Sequence, residues 1–422
     1  MLIFFYRILS NLLLIPIFLF FLTRFLLGKE TLKSIFQKFT IYKSSKINVS
    51  NKKVVWVNAV SIGEAKVGML VAELLKEKYK SLHVILSTST ITSFKILEKY
   101  QKKFTIIYAP IDISIIIQRF IKIWEPSLAL FVESEIWPST FSILKRNSIK
   151  LKIINARLSK QSYLNWKKVN FFSSELFGLI DQCIVQDKNS ETRFKDLGVK
   201  KITKISNLKY LQKEPKINKN DLKEFSSRFK NKFVVTMFST HEGEETFFIE
   251  SFKKLRKKIN NLIFVIIPRH IERTERIQSL LKKKGIKYSI RSNKNSYLKD
   301  SNILLVDTFG ELSLFFKLSK IAVVGGSFVK KGGQNPIEVS FFKCPVLCGP
   351  YMYNFSEIID EMKKNNAGIM VLDQKELEEK ILYLKNNASE RIKLANNFTK
   401  LCGKRRKRTN QLIKNVFESS NV

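Results

Sequence analysis

Residues 54–66 read VVWVNAVSIGEAK, an apolar run that changes abruptly into a helical pattern. A short run rich in valine predicts a strand that is buried on both faces of a sheet. Ser61 and Glu64 follow it with the S-x-x-E spacing of a capping box, in which serine caps a helix and glutamate returns to the cap amide. The stretch therefore predicts a strand, a tight turn and a helix, which is the repeating unit of a parallel α/β sheet.

The same unit recurs along the chain in two groups. The predicted strands are residues 54–60, 83–90, 104–110, 128–134, 152–158 and 182–187, then 233–239, 262–268, 287–292, 303–308, 321–327, 345–350 and 368–372. Between the groups, residues 206–221 are polar and contain Pro215, as expected of an interdomain linker. We therefore predict two doubly wound α/β domains with a cleft between them, at residues 29–210 and 211–422.

The N-terminus predicts a membrane anchor over residues 1–28. Residues 12–22 are apolar without interruption, and the apolar character extends over residues 2–27. A span needs about 20 apolar residues, so the segment is a marginal transmembrane helix or one that lies in the membrane. Arg24, Lys29, Lys33 and Lys38 place more positive charge after the uninterrupted apolar run than before it, which favours a cytoplasmic body. The alternative is an amphipathic helix buried in the globular fold.

The net charge and the cysteine content bear on which partners and which compartment the protein has. The 422 residues include 75 Lys and Arg against 36 Asp and Glu, a net charge of +39. The lysines are spread along the whole chain, and no zinc-finger, RNP-like or helix-turn-helix pattern accompanies them, so we expect no nucleic-acid partner. A cationic surface also suits anionic lipid or a phosphorylated substrate. The four cysteines show no paired metal spacing, which favours a reducing compartment.

Carboxylates follow two predicted strands of the first domain. Glu64 has two interpretations, a capping-box residue and a base that takes a proton from a substrate. Gly63 permits close approach of a ligand, which the capping box does not require. Glu133 and Glu135 come directly after another buried strand, where carboxylates are costly unless they are paired, solvated or used.

The second domain has several candidate anion sites. In FSTHEGEE (238–245), Ser239, Thr240 and the amides near Gly243 can hold a phosphate at a helix N-terminus. Arg269 ends another strand and suits phosphate recognition, whereas His241 is more typical of a structural histidine. A glycine-rich loop (325–333) leads to NPIE (335–338), which predicts a helix that Asn335 caps. P-loop, G-x-G-x-x-G and D-x-D patterns do not occur, so no metal site is expected.

Together these motifs resemble those of a known family. They are AVSIGE (59–64), ESEIWPS (133–139), NARLS (155–159), NLK (207–209), STHEGEE (239–245), PRH (268–270), DTFGEL (307–312), VGGSFVKKGGQNPIE (324–338) and GPYMYNF (349–355). In this order they are similar to the 3-deoxy-D-manno-octulosonic acid (Kdo) transferases of lipopolysaccharide synthesis. The resemblance implies a GT-B glycosyltransferase with two Rossmann-like domains and a membrane anchor.

The resemblance also implies an activity and its residues. The activity is inverting transfer of Kdo from CMP-Kdo to a lipid A precursor (lipid IVA), without metal or cofactor, at the cytoplasmic side of the inner membrane through a single-pass or monotopic anchor. Glu64 matches the general base, and Glu133 and Lys209 match residues that stabilise the transition state. The positions that match CMP-Kdo contacts are Pro268, Arg269, Phe309, Gly310, Glu311, Asn335, Pro336, Ile337 and Glu338.

The match has mild departures, and two alternatives stay open. Asn58 and Gln334 stand where histidine is expected, and Phe309 where methionine is expected, so details of the donor contact differ. One alternative is another membrane-associated GT-B transferase with a different nucleotide sugar. The other is a basic, membrane-tethered nucleic-acid binder, in which Glu64, Glu133 and Glu311 would repel the ligand.

Overall fold

A computed structural model describes residues 2–42, 53–293 and 301–418. The chain divides into two compact units, of which the first contains residues 1–212 and 407–422 and the second contains residues 213–406. The division after Gln212 lies two residues beyond the expected boundary at 210. The end of the chain differs from the expectation, because residues 407–422 belong to the first unit and not to the second.

The first unit is built on a seven-stranded sheet in the order β3-β2-β1-β4-β5-β6-β7, and every pair is parallel. Its strands are β1 (Val54–Asn58), β2 (His83–Thr88), β3 (Thr105–Tyr108), β4 (Leu128–Val132), β5 (Lys150–Ala156), β6 (Gln182–Val185) and β7 (Ile202–Lys204). The sequence does not predict β7, a half-exposed three-residue strand at the edge of the sheet. Its lysine-flanked sequence is typical of protected edges and gives little apolar signal.

Helices cover both faces of this sheet. They are α4 (Ile62–Lys78), α5 (Ile91–Glu98), α6 (Ser114–Trp124), α7 (Pro138–Arg146), α8 (Lys160–Lys168), α9 (Asn170–Phe177) and α10 (Lys188–Asp196). Successive side chains of a strand point to opposite faces, so Val55 and Val57 of β1 enter one core and Val54 and Trp56 enter the other. Burial on both faces explains the unbroken apolar pattern of residues 54–57.

In the described residues before the first strand there are three helices: α1 (Leu2–Leu12), α2 (Leu14–Leu26) and α3 (Leu32–Lys38). The single anchor helix that the sequence predicts is therefore two helices. Pro16 explains the break, because it has no N–H to donate to the carbonyl four residues earlier, at Leu12. Within the described ranges no helix is by itself long and apolar enough to cross a bilayer, and α1 and α2 meet both conditions only as a pair bent by 51°.

The second unit repeats the architecture with seven parallel strands in the order β10-β11-β9-β8-β12-β13-β14. They are β8 (Phe233–Thr240), β9 (Leu262–Pro268), β10 (Tyr288–Ile290), β11 (Ile303–Leu305), β12 (Ile321–Val324), β13 (Val346–Cys348) and β14 (Ile369–Met370). Its helices are α11 (Lys219–Arg228), α12 (Glu244–Arg256), α13 (Thr274–Lys283), α14 (Leu312–Leu318), α15 (Ser356–Lys364) and α16 (Gln374–Asn386).

The last helix, α17 (Ala388–Glu418), starts in the second unit and ends in the first. Ile413, Val416 and Phe417 are buried in the core cluster that contains Leu75 of α4. The hydroxyl of Tyr79 donates a hydrogen bond to the carbonyl of Phe417 at 3.1 Å. Burial of these three apolar side chains is the physical reason why the end of the chain belongs to the first unit.

Candidate active site

The two sheets share a topological feature that locates candidate sites. In the first sheet the chain moves outwards from β1 to β2 and β3, then returns to place β4 on the other side of β1. Ligands of open α/β sheets bind beyond the carboxyl ends of the strands at such a reversal. Glu64 follows β1 and Glu133 follows β4, so both carboxylates lie at the reversal of the first sheet.

Glu64 forms the predicted capping box. Ser61 is the N-cap of α4, and its Oγ accepts a hydrogen bond from the Glu64 amide at 3.4 Å. Glu64 Oε2 accepts hydrogen bonds from the amides of Val60 at 2.8 Å and Ser61 at 3.3 Å. In the described part of the chain, Oε1 has no hydrogen-bond partner. The box thus occupies one oxygen and leaves the other for a ligand, so the two interpretations of Glu64 are compatible.

The surroundings of Glu64 favour its protonated form. Burial raises the pKa of its carboxyl to about 7, with further contributions from the negative charges of Glu135 and Glu133. The two backbone hydrogen bonds act in the opposite direction and only partly offset this effect. A general base works best when its pKa lies near the working pH, which this group satisfies at neutrality.

Glu133 is paired with Lys209. Lys209 Nζ donates a hydrogen bond to Glu133 Oε1 at 3.0 Å, and both side chains are less than one-fifth exposed. Lys209 lies in a 3-10 turn (Leu208–Leu211) of the first unit, so its expected place in a linker is wrong. Glu133 has a φ of +61°, a left-handed backbone that costs a non-glycine residue about 1 kcal/mol. Such strain persists where the surrounding structure enforces it.

Asn155 is a further residue of this site. It is the penultimate residue of β5, is 2% exposed, and its Nδ2 donates to Glu133 Oε1 at 3.4 Å. Its Oδ1 accepts a hydrogen bond from the amide of Leu208 at 2.8 Å, next to Lys209. Asn155 thus contacts the carboxylate of the ion pair and the backbone of the residue before Lys209. The sequence signal for it was an asparagine at the end of a buried strand, where a φ of +55° suits that residue type.

Glu135 completes the group of carboxylates. Its Oε2 accepts a hydrogen bond from Trp137 Nε1 at 2.9 Å. Burial raises the pKa of Glu135, and the hydrogen bond from Trp137 acts against this shift. Two carboxyl groups of the site, Glu64 and Glu135, therefore have raised pKa values, while Glu133 has a cation beside it.

In the second unit the reversal lies between β8 and β12. Pro268 is buried at the end of β9, and exposed Arg269 follows, with its amide donating to the carbonyl of Thr240 at 3.0 Å. The residue after β9 is thereby fixed to the end of β8. The Arg269 side chain is left at the carboxyl edge of the sheet, where the sequence predicts a phosphate contact.

Phe309, Gly310 and Glu311 lie in the turn before α14. Phe309 is 73% exposed, and Gly310 has a φ of +86° that favours glycine. Glu311 is held by the guanidinium of Arg291, which donates to its carboxylate at 2.7 to 3.1 Å, and by the hydroxyl of Thr308. The Glu311 carboxylate is therefore fixed in place by a cation.

The α-helix predicted to begin at NPIE (335–338) does not form, and a 3-10 helix stands in its place. Asn335 Oδ1 accepts from the amide of Ile337 at 3.1 Å, but a six-residue 3-10 helix (Ile337–Phe342) follows, and Pro336 precedes it. Pro336 and Ile337 are buried, whereas Asn335 and Glu338 are half-buried. The left-handed Lys343 stops the turn after Phe342. So short an element supplies no appreciable helix dipole for a phosphate.

The phosphate site predicted near Gly243 is also wrong in part. Glu244, the first residue of α12, is fully buried and accepts hydrogen bonds from the amides of His241 at 2.8 Å, Gly326 at 2.7 Å and Phe328 at 3.0 Å. The Glu244 carboxylate therefore accepts the hydrogen bonds that these backbone amides of both glycine-containing loops can donate. Ser239 and Thr240 remain at this sheet edge, and Thr240 Oγ1 donates to Glu245.

His, Cys, Asp and Glu are the side chains that commonly bind metal ions. Across residues 2–42, 53–293 and 301–418, no three or more His, Cys, Asp or Glu side chains form a group that could hold a metal ion. All four cysteines are buried, and burial raises the pKa of the Cys348 and Cys402 thiols to about 12.

Sequence comparisons identify relatives of this chain. Residues 33–212 match the family described as 3-Deoxy-D-manno-octulosonic-acid transferase (kdotransferase). The 3-deoxy-D-manno-octulosonic acid transferase of Rickettsia bellii (strain RML369-C) is 30% identical over 388 residues, which cover 91% of this chain and 92% of the relative. The enzyme of the same name from Haemophilus influenzae (strain Rd) is 31% identical over 353 residues, 81% of each chain.

Solved structures share the fold. A glycosyltransferase from Rickettsia africae ESF-5 covers 88% of this chain and 100% of its own, with 15% identity and a TM-score of 0.65. Anabaena HepE, solved with UDP and glucose, covers 87% of this chain and 100% of its own, with 12% identity and a TM-score of 0.61. The chain therefore has two parallel-sheet α/β domains in the GT-B fold, as the sequence predicts.

Proposed function

The chain belongs to the 3-deoxy-D-manno-octulosonic acid (Kdo) transferase family, and we propose from this membership that it moves Kdo from CMP-Kdo to a lipid A precursor. Membership makes it a glycosyltransferase of lipopolysaccharide biosynthesis. The proposal adds the nucleotide of the donor, the lipid acceptor and the residues that act on them.

One observation carries the proposal for the chemistry. Glu64 combines a pKa of about 7 with a carboxylate oxygen that the capping box leaves unused. The acceptor hydroxyl must lose a proton as it attacks the anomeric carbon, and Glu64 is the group that takes it. Lys209, held by its ion pair with Glu133, supplies a cation that stabilises negative charge on the substrates. Attack by the hydroxyl in one step inverts the configuration at the anomeric carbon.

The donor contacts lie in the second unit. Arg269 supplies a guanidinium for the phosphate or the carboxylate of CMP-Kdo. Gly310 lets the backbone approach the nucleotide, and exposed Phe309 offers it an apolar surface. Pro268, Glu311, Asn335, Pro336, Ile337 and Glu338 complete the proposed contacts. CMP carries a single phosphate, whose charge on departure is received by cationic side chains.

We further propose that the protein acts at the cytoplasmic side of the inner membrane. The first two helices carry large exposed apolar side chains, among them Phe5, Leu9, Ile15 and Phe20. Exposed apolar surface of this kind on a helix pair marks a membrane contact. The net charge of +39 adds attraction to anionic lipid and to a phosphorylated acceptor.

Product analysis tests the function directly. The purified full-length protein is incubated with CMP-Kdo and a tetraacylated lipid A precursor, and the mass of the lipid product is measured by mass spectrometry. We expect the mass of the lipid to rise by one or more Kdo residues. The matched control is Glu64→Gln, which preserves the hydrogen bonds of the capping box and removes the base.

The same assay separates this function from its alternative. With CMP-Kdo in the reaction, excess CMP should inhibit transfer as the reaction product, and UDP should not. Transfer from a UDP-sugar in place of CMP-Kdo would instead identify a GT-B transferase with another donor. A lipid of unchanged mass with all donors would contradict the proposal.

A further inference from the structure

His241 lies at the reversal point of the second sheet. It directly follows β8, the strand whose neighbour β12 lies across the reversal. Its ring packs against Gly326, where a Cβ would lie 2.9 Å from His241 Cδ2. Gly326 therefore leaves room for the imidazole at the edge where an open α/β sheet binds its ligand.

The surroundings of the ring favour its neutral form. The side-chain amide nitrogen of Gln334 lies 3.0 Å from His241 Nε2. An amide nitrogen only donates, so Nε2 accepts and the single proton of the ring is on Nδ1. Burial lowers the pKa of His241, and the positive charges of His270, Lys331, Arg269 and Arg273 lower it further.

The charged groups around His241 favour an anion. Arg273 is neutralised by Glu245, with two hydrogen bonds at 2.8 and 2.9 Å. Arg269, His270 and Lys331 form no ion pair with any carboxylate in the described ranges. Acidic neighbours are already used or point elsewhere: buried Glu244 binds three amides, and exposed Glu242 pairs with Arg276 at 3.7 Å. Arg269 and Lys331 thus place positive charge near the imidazole without an acidic partner in the described ranges.

We propose that His241 binds the phosphate of the nucleotide donor as an imidazolium, and that the ring takes up its second proton when the nucleotide binds. The inference rests on the proposed function, since it needs a phosphate at this edge. A phosphate cancels the repulsion from the neighbouring cations, so the protonated ring becomes the favoured form. The Gln334 amide then turns its oxygen towards Nε2–H.

The imidazolium also serves the transfer step. When the bond between the anomeric carbon and the phosphate oxygen breaks, the electron pair stays on that oxygen. The phosphate thereby gains a second negative charge. The protonated His241 ring stabilises this charge by donating a charge-assisted hydrogen bond to the phosphate. The step leaves CMP bound to a protonated ring, and the proton returns to solvent when CMP leaves.

Calorimetry of CMP binding to the detergent-solubilised full-length protein tests the inference. Titrations at about pH 7 in buffers of different ionisation enthalpy give the number of protons taken up. The phosphate of CMP itself titrates near pH 6, so the quantity of interest is the difference between wild type and His241→Gln. The matched control is His83→Gln, which removes another half-buried imidazole, one bonded to Thr105 in the first unit.

We expect wild type and His83→Gln to take up more protons than His241→Gln, by up to one per CMP. Their affinity for CMP should also fall more steeply as the pH rises from about 6 to about 8. Loss of a charge-assisted hydrogen bond should weaken CMP binding to His241→Gln by about tenfold at pH 6.

Two other outcomes are distinguishable. Equal proton uptake and equal affinity in wild type and His241→Gln would overturn the role of His241 while the proposed function stands. Absence of CMP binding to the folded wild-type protein at every pH would contradict the proposed donor itself.

Discussion

Glu64 accepts backbone hydrogen bonds through Oε2, while Oε1 is left without a partner in the described ranges. The cap fixes the side chain at the start of α4, and burial beside Glu135 and Glu133 raises its pKa to about 7. A side chain that is held by its own helix loses little further freedom when a substrate binds. Capping therefore supports the proposed base by orienting it, because the two tasks use different atoms.

Substitutions can separate the two tasks. Ser61→Ala removes the N-cap but keeps the base, so we expect stability to fall by about 1 kcal/mol and transfer to continue. Glu64→Gln keeps the box and removes the base, so we expect an unchanged fold and loss of transfer. Thermal unfolding and product mass measure the two effects. Full activity of Glu64→Gln would exclude the proposed base.

The neighbouring carboxylates give a pH-dependent prediction. Negative charge at Glu135 disfavours ionisation of Glu64, so Glu135→Gln should lower the Glu64 pKa. The base must be ionised to act, and the transfer rate therefore rises with pH through the Glu64 pKa. In Glu135→Gln this rise should occur at lower pH than in wild type. The matched control is Glu77→Gln on the exposed face of α4, which should leave the profile unchanged.

Residue-level geometry was predictable only where neighbours in sequence determine it. The spacing of Ser61 and Glu64 predicts their capping box, which the structure confirms. The ion pair between Glu133 and Lys209 joins residues that are 76 positions apart, and no local sequence pattern predicts it. The hydrogen bond from the Gly326 amide to Glu244, 82 positions away, is likewise a tertiary contact, and the glycine-rich motif does not predict it.

Among the secondary-structure elements, the central strands were the most predictable. Strands β1, β4, β8 and β9 are buried on both faces, so each appears as a run of mostly apolar residues. Edge strand β7 has no such signal. At residues 335–338 the cap and proline pattern favoured an α-helix, yet the chain turns away after six residues at Lys343. Local propensity predicted the start of a helical turn and not its kind or length.

Helix α17 leads to a prediction about stability. Ile413 is fully buried in the core of the first unit although it follows the whole second unit in sequence. Ile413→Ala should therefore destabilise the first unit by about 3 kcal/mol, through lost burial and the remaining cavity. Limited proteolysis with urea should cleave residues 53–212 at a lower urea concentration than in wild type. The control is Lys414→Ala on the exposed side of the same helix, which should behave as wild type.

For the protein as a whole, the two sheets place their functional groups by the same rule. Each reverses its strand order once beside its first strand, and each presents charged side chains there. The first unit has a carboxyl group with a pKa of about 7, and the second has Arg269 and Lys331, which form no ion pair within the described residues. In the proposed mechanism the first unit supplies the general base, and the second unit supplies most of the contacts to the anionic donor. Such a division is well suited to transfer of a sugar from an anionic leaving group to a hydroxyl.

Helix lengths and contacts lead to a prediction about how the proposed membrane anchor is arranged. Helix α2 has 13 residues, about 20 Å at 1.5 Å per residue, which is shorter than a hydrocarbon core of about 30 Å. Helix α1 is fixed to the first unit, because Arg7 Nε donates to Ser114 Oγ at 3.2 Å and Asn11 Oδ1 accepts from the amide of Ile115 at 3.1 Å. We therefore predict that both helices lie in one leaflet, on the side of the first unit.

Cysteine labelling distinguishes this arrangement from a single span. Leu2→Cys and Lys29→Cys flank the helix pair, and background labelling is low because all four native cysteines are buried. A membrane-impermeant maleimide applied to spheroplasts should label neither position if the pair lies in the cytoplasmic leaflet. Inverted vesicles should expose Lys29→Cys, with Lys414→Cys as the positive control. Labelling of Leu2→Cys in intact spheroplasts would establish a span, and the contacts of Arg7 and Asn11 with α6 would then have to break in the membrane.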